Sequence, residues 1–234
     1  MIPLLHDFEG ETVLVFGGGR VGARKARRFA REARVVVVSP EFAEVDGDGD
    51  GEAEGDGGTD ASRADFGDAE LVREAPGPDD VPDWFDRTDP ALVVAATDSD
   101  ELNERIETTA RDRGVLVNRA DQHGERDAGS VVVPATVRDD PVVAAVATGG
   151  ASPALSRYLR QTIETEIDDA GAMAELTGEI RAELQAEDVE PAVRREAVRA
   201  VVRSDAVWKA LDSGVPNGRQ VAADVISDVT GENA

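Results

Sequence analysis

The chain has 234 residues, 25 of them Lys or Arg and 49 Asp or Glu, so its formal net charge is −24. Hydrophobic residues make up 41%, enough to bury the core of one large domain or two small ones and too many for a disordered chain. The absence of cysteine excludes a disulfide framework, a zinc–cysteine site and a thiol nucleophile. No apolar run approaches the ~20 residues that span a bilayer. Residues 1–7 lack the basic start and apolar stretch of a signal peptide, so a soluble, cytoplasmic protein is expected. Acid at this density repels nucleic-acid phosphates and anionic membranes, which excludes both as partners. Lys25 and Lys209 are the only lysines. Two readings of the charge stand: a solvated surface suited to a high-salt cytoplasm, or an acidic face that recruits a cationic partner.

In chain order, residues 12–16 form a continuous apolar run, as a strand covered on both faces would. Gly17-Gly18-Gly19-Arg20-Val21-Gly22 follows. Residues 23–31 read as a helix with Ala23, Ala26, Phe29 and Ala30 on one face, and residues 33–39 carry a second buried strand. Strand, glycine turn, helix and strand make one βαβ unit. Residues 46–60 are mostly Gly, Asp and Glu and predict a flexible loop. A third strand is expected at 69–73 and a short helix at 81–85. Residues 91–96 predict a buried strand. A helix through Arg111 follows, capped by Asp98 or Ser99, with Glu101 completing a capping box from Asp98. Residues 115–118 predict the next strand. This alternation predicts a doubly wound parallel sheet to about residue 118.

The pattern then changes. Residues 131–137 and 142–148 are strand-like runs joined by Arg138-Asp139-Asp140-Pro141, which predicts a hairpin. From Ser152, a good N-cap followed by Pro153, the chain reads as helical, with helical spacing of Ala, Val and Ile at 192–202 and 220–229. The expected fold is therefore α/β. A Rossmann-type parallel sheet over 1–118 is followed by a small β segment over 119–151 and a helical C-terminal domain over 152–234.

Gly17, Gly19 and Gly22 make G-x-G-x-x-G after a strand and at the opening of a helix. The first glycine permits the tight turn, the second lets backbone approach a pyrophosphate, and the third lets helix pack on strand. This predicts dinucleotide binding. An acid ~20 residues further on is expected to hold the ribose hydroxyls, and Glu41, after Ser39-Pro40, is the candidate. A carboxylate there disfavours a 2′-phosphate and so prefers NAD over NADP; the competing reading makes Glu41 one more surface acid. The run Asp46-Gly47-Asp48-Gly49-Asp50-Gly51 imitates the start of a calcium loop, but Gly57 stands where a bidentate glutamate is required. No metal site is therefore expected.

Asn118-Arg119-Ala120-Asp121 closes a predicted strand at its carboxyl end, where open α/β sheets bind ligands. Asp121 there can act as general base or hold a cationic ring nitrogen, or it is a turn aspartate. His123, close by, is an acid or ligand candidate, or an ordinary loop histidine. Thr148-Gly149-Gly150-Ala151-Ser152-Pro153 offers backbone N–H groups before a capped helix, a second anion site or an ordinary linker. Arg157 and Arg160 follow; they meet carboxylates bidentately or pair with Glu164 on the helix surface.

Four blocks together carry a family likeness: Ile2-Pro3-Leu4 with residues 13–25, residues 94–98, residues 117–121, and residues 147–157. With them, the chain from about 1 to 170 resembles the siroheme synthase N-terminal family, the NAD-dependent precorrin-2 dehydrogenases. The resemblance implies a Rossmann domain, a β dimerisation segment and a helical region, in an intertwined homodimer with the substrate cleft between the parts. It implies oxidation of precorrin-2 to sirohydrochlorin with NAD, and some members then insert ferrous iron. The family's important aspartate falls on Asp121. Its cofactor contacts fall on Arg20 and Val21, on Pro40 and Glu41, and near Thr97. The cleft serine of some members falls on Thr148. Residues 122–131 depart from the pattern, lacking the family's aromatic, and the acidic loop at 46–60 looks like an addition.

The expected mechanism places NAD⁺ across the carboxyl edge of the sheet, with pyrophosphate at Gly17 to Gly22. The macrocycle's carboxylates meet Gly149, Gly150 and Arg157, beside Asn118 and Thr148. Asp121 assists proton loss or steadies the pyrrole nitrogens. Arg119, Arg126, Arg157 or Arg160 are expected to keep the cleft positive. The alternatives are a regulatory module that senses NAD without catalysis, and a dehydrogenase of small hydroxy acids. The second needs a His or Tyr acid/base, and only two histidines and Tyr158 are present.

Overall fold

A computed structural model of the chain describes residues 3–44, 65–121 and 130–230. The predicted loop at 46–60, the calcium-like run, His123 and Arg126 lie outside the described residues. Thr12–Phe16 (β1), Arg34–Ser39 (β2), Glu70–Arg73 (β3), Leu92–Ala95 (β4) and Leu116–Arg119 (β5) form one sheet in the order β3-β2-β1-β4-β5. Every pairing is parallel. The strands are apolar on both faces because helices cover both. Val13, Val15, Val35, Val37 and Val94 pack with Ala23 and Ala26 of helix α1, Arg20–Phe29. Leu14, Phe16, Val36, Val38 and Val93 pack against α2, Val81–Thr88, and α3, Asp100–Arg113.

The helix ends correct two expectations. α1 starts at Arg20, not Ala23, because the glycine turn is complete by Gly19, which takes the N-cap position. Ser99, not Asp98, caps α3: its side chain accepts from Leu102 N–H at 3.3 Å. Glu101 is then only the second residue of the helix, so the capping box from Asp98 does not form. Gly114, left-handed at φ +70°, ends α3 as a glycine C-cap does.

The chain divides into two compact units, Met1–Val133 and Pro134–Ala234. In the second, Ala135–Asp139 (β6) and Val142–Val146 (β7) pair as the expected antiparallel hairpin. Residues 131–134 do not extend β6. Val131 N–H donates instead to Val117 O at 2.8 Å, so residues 131–133 belong to the edge of the first unit. Five helices follow: α4, Pro153–Glu166; α5, Ala170–Ala186; α6, Pro191–Val202; α7, Asp205–Leu211; and α8, Val215–Thr230. Met173, Leu176, Ile180, Ala197, Val201, Val207, Leu211 and Ala222 form the shared core of α5 to α8. The hairpin is bolted to this bundle. Asp139 Oδ2 accepts from Gly171 N–H at 2.7 Å in the first turn of α5, and a Cβ on Gly171 would collide with the carbonyl of Asp140.

Candidate functional site at the carboxyl edge of the sheet

The glycine turn sits at the carboxyl end of β1, beside the end of β4. That is where the sheet order reverses and where open α/β sheets take ligands. Gly17 adopts φ +113°, and a Cβ there would collide with the carbonyl of Ala96 at the end of β4. A Cβ on Gly22 would collide with Gly17 O, so only glycine lets α1 lie this close to β1. Gly19 differs. Its φ of −72° suits any residue, and a Cβ built there would meet nothing within 4 Å. What Gly19 keeps bare is the approach to the N-terminus of α1, which has no side-chain cap and no acid in its first turn. That end offers orphan N–H groups and the positive end of the helix dipole, a ready anion site. Arg20 and Val21 open the helix at this point. Pro40 and Glu41 follow β2 on the same edge. Ala43 N–H donates to Gly18 O at 2.7 Å, and Arg73 Nη1 donates to Pro40 O at 3.0 Å. The first bond holds the segment after β2 against the turn, and the second ties it to the end of β3.

Thr97, at the end of β4, is clamped by Asn103. Thr97 Oγ1 donates to Asn103 Oδ1 at 2.8 Å, and Asn103 Nδ2 donates to Thr97 O at 3.0 Å. Asp121 lies just past β5 with its side chain 27% exposed. Arg119 holds it by a fork: Nε donates to Oδ1 at 2.8 Å and Nη2 to Oδ2 at 2.5 Å. The remaining nitrogen, Nη1, donates to Glu107 Oε2 of α3 at 2.8 Å. Arg111 Nη2 in turn donates to Glu107 Oε1 at 3.1 Å. The Arg119 hydrogen bonds push the Asp121 carboxyl below the ordinary carboxylate range, against the opposing effect of burial. The Arg119 guanidinium is held above its ordinary value, first by its bond to Asp121.

This overturns one expectation. Arg119 is not a cation lining a cleft; it is 4% exposed and its charge is met by two carboxylates. A buried guanidinium needs such partners, since desolvation is otherwise uncompensated. Arg160, expected in the same role, forms an ion pair with Glu164 one turn along α4, the competing reading of its sequence. Asn118 is buried, and its Nδ2 donates to Val131 O at 2.8 Å, tying the returning chain to β5. Its Oδ1 has no partner among the described residues.

Two polar residues of this edge were missed in the sequence. Asn103 and Glu107 stand one helical turn apart, within the buried stripe of Leu102, Ile106 and Ala110. A carboxylate and an amide at core-facing positions of a helix were the available signal.

In the second unit, Thr148 Oγ1 shares a hydrogen bond with Ser156 Oγ at 2.9 Å and donates to Ser152 O at 3.1 Å. Gly149 and Gly150 take positive φ, +64° and +85°, and Ser152 caps α4 by accepting from Leu155 N–H at 3.2 Å. The predicted turn before a capped helix is present, and Arg157 is exposed on α4 in its second turn. Among the described residues no group of three or more His, Cys, Asp or Glu is placed to hold a metal ion.

Comparison with known proteins gives a consistent set. Residues 4–135 match the model of a family described as "Putative NAD(P)-binding". The chain is 30% identical over 230 residues to a precorrin-2 dehydrogenase of Methanosarcina barkeri, covering 97% of this chain and 93% of that one. It is 34% identical over 182 residues to a siroheme synthase of Pseudomonas paraeruginosa. That match covers 77% of this chain and only 34% of the synthase, so the chain corresponds to about a third of the longer protein. The solved structure of SirC, a precorrin-2 dehydrogenase, superposes with a TM-score of 0.65. The match covers 96% of this chain and all of that one, at 20% identity, and is a likeness of fold.

Proposed function

Because the chain belongs to the NAD(P)-binding family of precorrin-2 dehydrogenases and siroheme synthase N-terminal regions, we propose that it oxidises precorrin-2 to sirohydrochlorin with NAD⁺. The observation that carries the reading is the placement of Asp121 along the same carboxyl edge as the glycine turn and the Thr97 loop. β1, β4 and β5 are neighbours in the sheet, and each ends in one of the three.

The residues present fit the cofactor. The bare approach at Gly19 and the uncapped start of α1 take the pyrophosphate, with Gly17, Arg20, Val21 and Gly22 shaping the turn. Glu41, with Pro40, meets the ribose hydroxyls and disfavours a 2′-phosphate, while the Thr97 loop borders the nicotinamide end. NAD⁺, when bound, supplies the hydride acceptor. The substrate gives up one hydride and one proton. Asp121, kept ionised by Arg119, is a weak proton acceptor. Its work is to hold a ring N–H and to stabilise positive charge on the macrocycle while the proton leaves to water. Thr148, Gly149, Gly150 and Arg157 supply donors for the macrocycle's carboxylates, and Asn118 shapes the wall through its tie to Val131.

We read the protein as a cytoplasmic homodimer with an acidic surface suited to high salt, with 119–151 as its β dimerisation segment between a Rossmann part (1–118) and a helical part (152–234). No described helix is long and apolar enough to cross a membrane. A module that only senses NAD would leave the Arg119–Asp121 fork without a task. The test is NADH formation on adding precorrin-2 anaerobically, for the parent and for Asp121→Ala. Turnover is expected in the parent and a loss of roughly 100-fold or more in the variant, with NAD affinity retained. NAD binding without any NADH formation in the parent would sink the reading.

A further inference from the structure

Asp121 is the second carboxylate on a single guanidinium. Arg119 is the last residue of β5, so its backbone is fixed by pairing with β4 through the Ala95–Arg119 register. Its side chain lies buried over α3, where Glu107 takes Nη1. Glu107 is itself braced by Arg111, one turn further along α3. The guanidinium therefore cannot swing. It presents its Nε/Nη2 edge in one plane, and Asp121 meets that edge with both oxygens. The charged groups that face Asp121 or its partner, among the described residues, are Arg119 on β5 and Glu107 and Arg111 on α3. Asn103, also on α3, adds a smaller push that lowers the Asp121 carboxyl.

Glu107 has no task in the reaction proposed above, and a buried glutamate is costly without one. A surface arginine would hold Asp121 electrostatically but would leave the carboxylate free to rotate. Fixing the plane of the carboxylate requires the guanidinium to be fixed first, and Glu107 does that from the side away from Asp121.

We propose that Arg119, anchored by Glu107, is the positioning residue for Asp121: it sets the plane of the Asp121 carboxylate for contact with the macrocycle. This rests on the catalytic reading of Asp121. Each Asp121 oxygen accepts one bond from Arg119 and retains lone-pair capacity for the substrate. The relay runs Glu107–Arg119–Asp121 from helix to strand end. It makes the geometry of the site depend on the docking of α3 on the sheet.

The test compares Arg119→Lys, Glu107→Gln/Arg119→Gln and Asp121→Asn, with Arg119→Lys also placed in the Asp121→Asn background. Each is measured for thermal stability, NAD affinity, and kcat and KM with precorrin-2 across the pH range over which it stays folded. Lysine keeps the charge but not the fork. Arg119→Lys is expected to fold, to bind NAD as the parent does, and to lose roughly 10- to 100-fold in kcat with little change in KM. Without the fork the Asp121 carboxyl rises, so the acid limb of the kcat profile moves toward neutral pH, further in the double glutamine variant than in lysine. In the Asp121→Asn background, Arg119→Lys is expected to cost nothing more, because both act through one carboxylate. The double glutamine variant removes both buried charges together and keeps the test alive if lysine does not fold. Parental kcat and an unmoved acid limb in the Arg119 variants, with Asp121→Asn slow, would overturn the positioning role alone. An additive loss in the Asp121→Asn background would overturn it too. Full turnover in Asp121→Asn would overturn the catalytic reading of Asp121 and the positioning role with it.

Discussion

Asn103 grips Thr97 from both sides, accepting from its hydroxyl at 2.8 Å and donating to its carbonyl at 3.0 Å. The clamp joins the second turn of α3 to the loop that leaves β4. Replacing it with Asn103→Leu leaves the polar groups of Thr97 unmatched, at a cost of about 1–3 kcal/mol. The expected result is a lower melting temperature together with weaker NAD binding, read by thermal melts and by calorimetric titration. Unaltered NAD affinity in a folded variant would remove the Thr97 loop from the cofactor site.

The four glycines of the turn are not equivalent, and their alanine variants separate folding from binding. Gly22→Ala drives a methyl into the backbone of Gly17 and is expected to destabilise the fold by several kcal/mol. Gly19→Ala adds a methyl into open space at an allowed φ. It is expected to change stability by no more than about 1 kcal/mol and to weaken NAD binding roughly tenfold or more, because the methyl stands where phosphate approaches. Equal NAD affinity in Gly19→Ala and the parent would contradict the phosphate placement.

The fork on Asp121 also sets a pH dependence of stability. Its carboxyl is held below the ordinary 3.8 in the folded protein, first by the hydrogen bond from Arg119. The unfolded chain then takes up the proton before the folded one. The stabilisation is complete above the unfolded value and is lost as pH falls through the folded one. The parent is therefore expected to exceed Asp121→Asn by about 1–2 kcal/mol at neutral pH. The gap should hold down to about pH 5 and close on further acidification. Urea melts at stepped pH check this, and a gap that widens in acid contradicts it.

Helix α4 buries no residue within its own chain, and Leu155 and Tyr158, on adjacent turns of one face, are 47% and 64% exposed. A large apolar pair left open in this way is the signature of a face covered by another surface. If the homodimer uses it, Leu155→Glu/Tyr158→Glu is expected to shift the species seen by analytical ultracentrifugation from dimer to monomer while the helical circular dichroism signal persists. A parental sedimentation profile would place the dimer contact elsewhere.

Much of the first unit was legible in the residues. Continuous apolar runs at β2 and β4 announced strands covered on both faces, and glycines at 17, 19 and 22 announced the turn between β1 and α1. Ser152 with Pro153 announced the start of α4. These are local signals, set by period, capping and backbone freedom. What escaped was tertiary. Nothing in the spacing Arg119-Ala120-Asp121 says that the arginine points inward to Glu107, twelve residues upstream on another element. Arg119 therefore read as a cleft cation. Helical spacing at 192–202 announced α6 almost to its ends, and 220–229 announced the body of α8. The bounds of α5 and α7 and the start of α8 escaped for a related reason: several helices packed round one core share a single apolar pattern, and their ends are set by contacts with each other.

The bond between Asp139 and the first turn of α5 bears on where this chain can be cut. α5 has no side-chain cap from its own N-cap residue, Asp169, so its opening N–H groups rely on a carboxylate supplied by the hairpin. A fragment starting at Ser152 would discard that carboxylate and uncover the flank of Gly171, whereas one starting at Pro134 keeps both. The hairpin and the helical bundle are thus one heritable module: a recombinant exchange of the bundle between relatives should carry β6 and β7 with it.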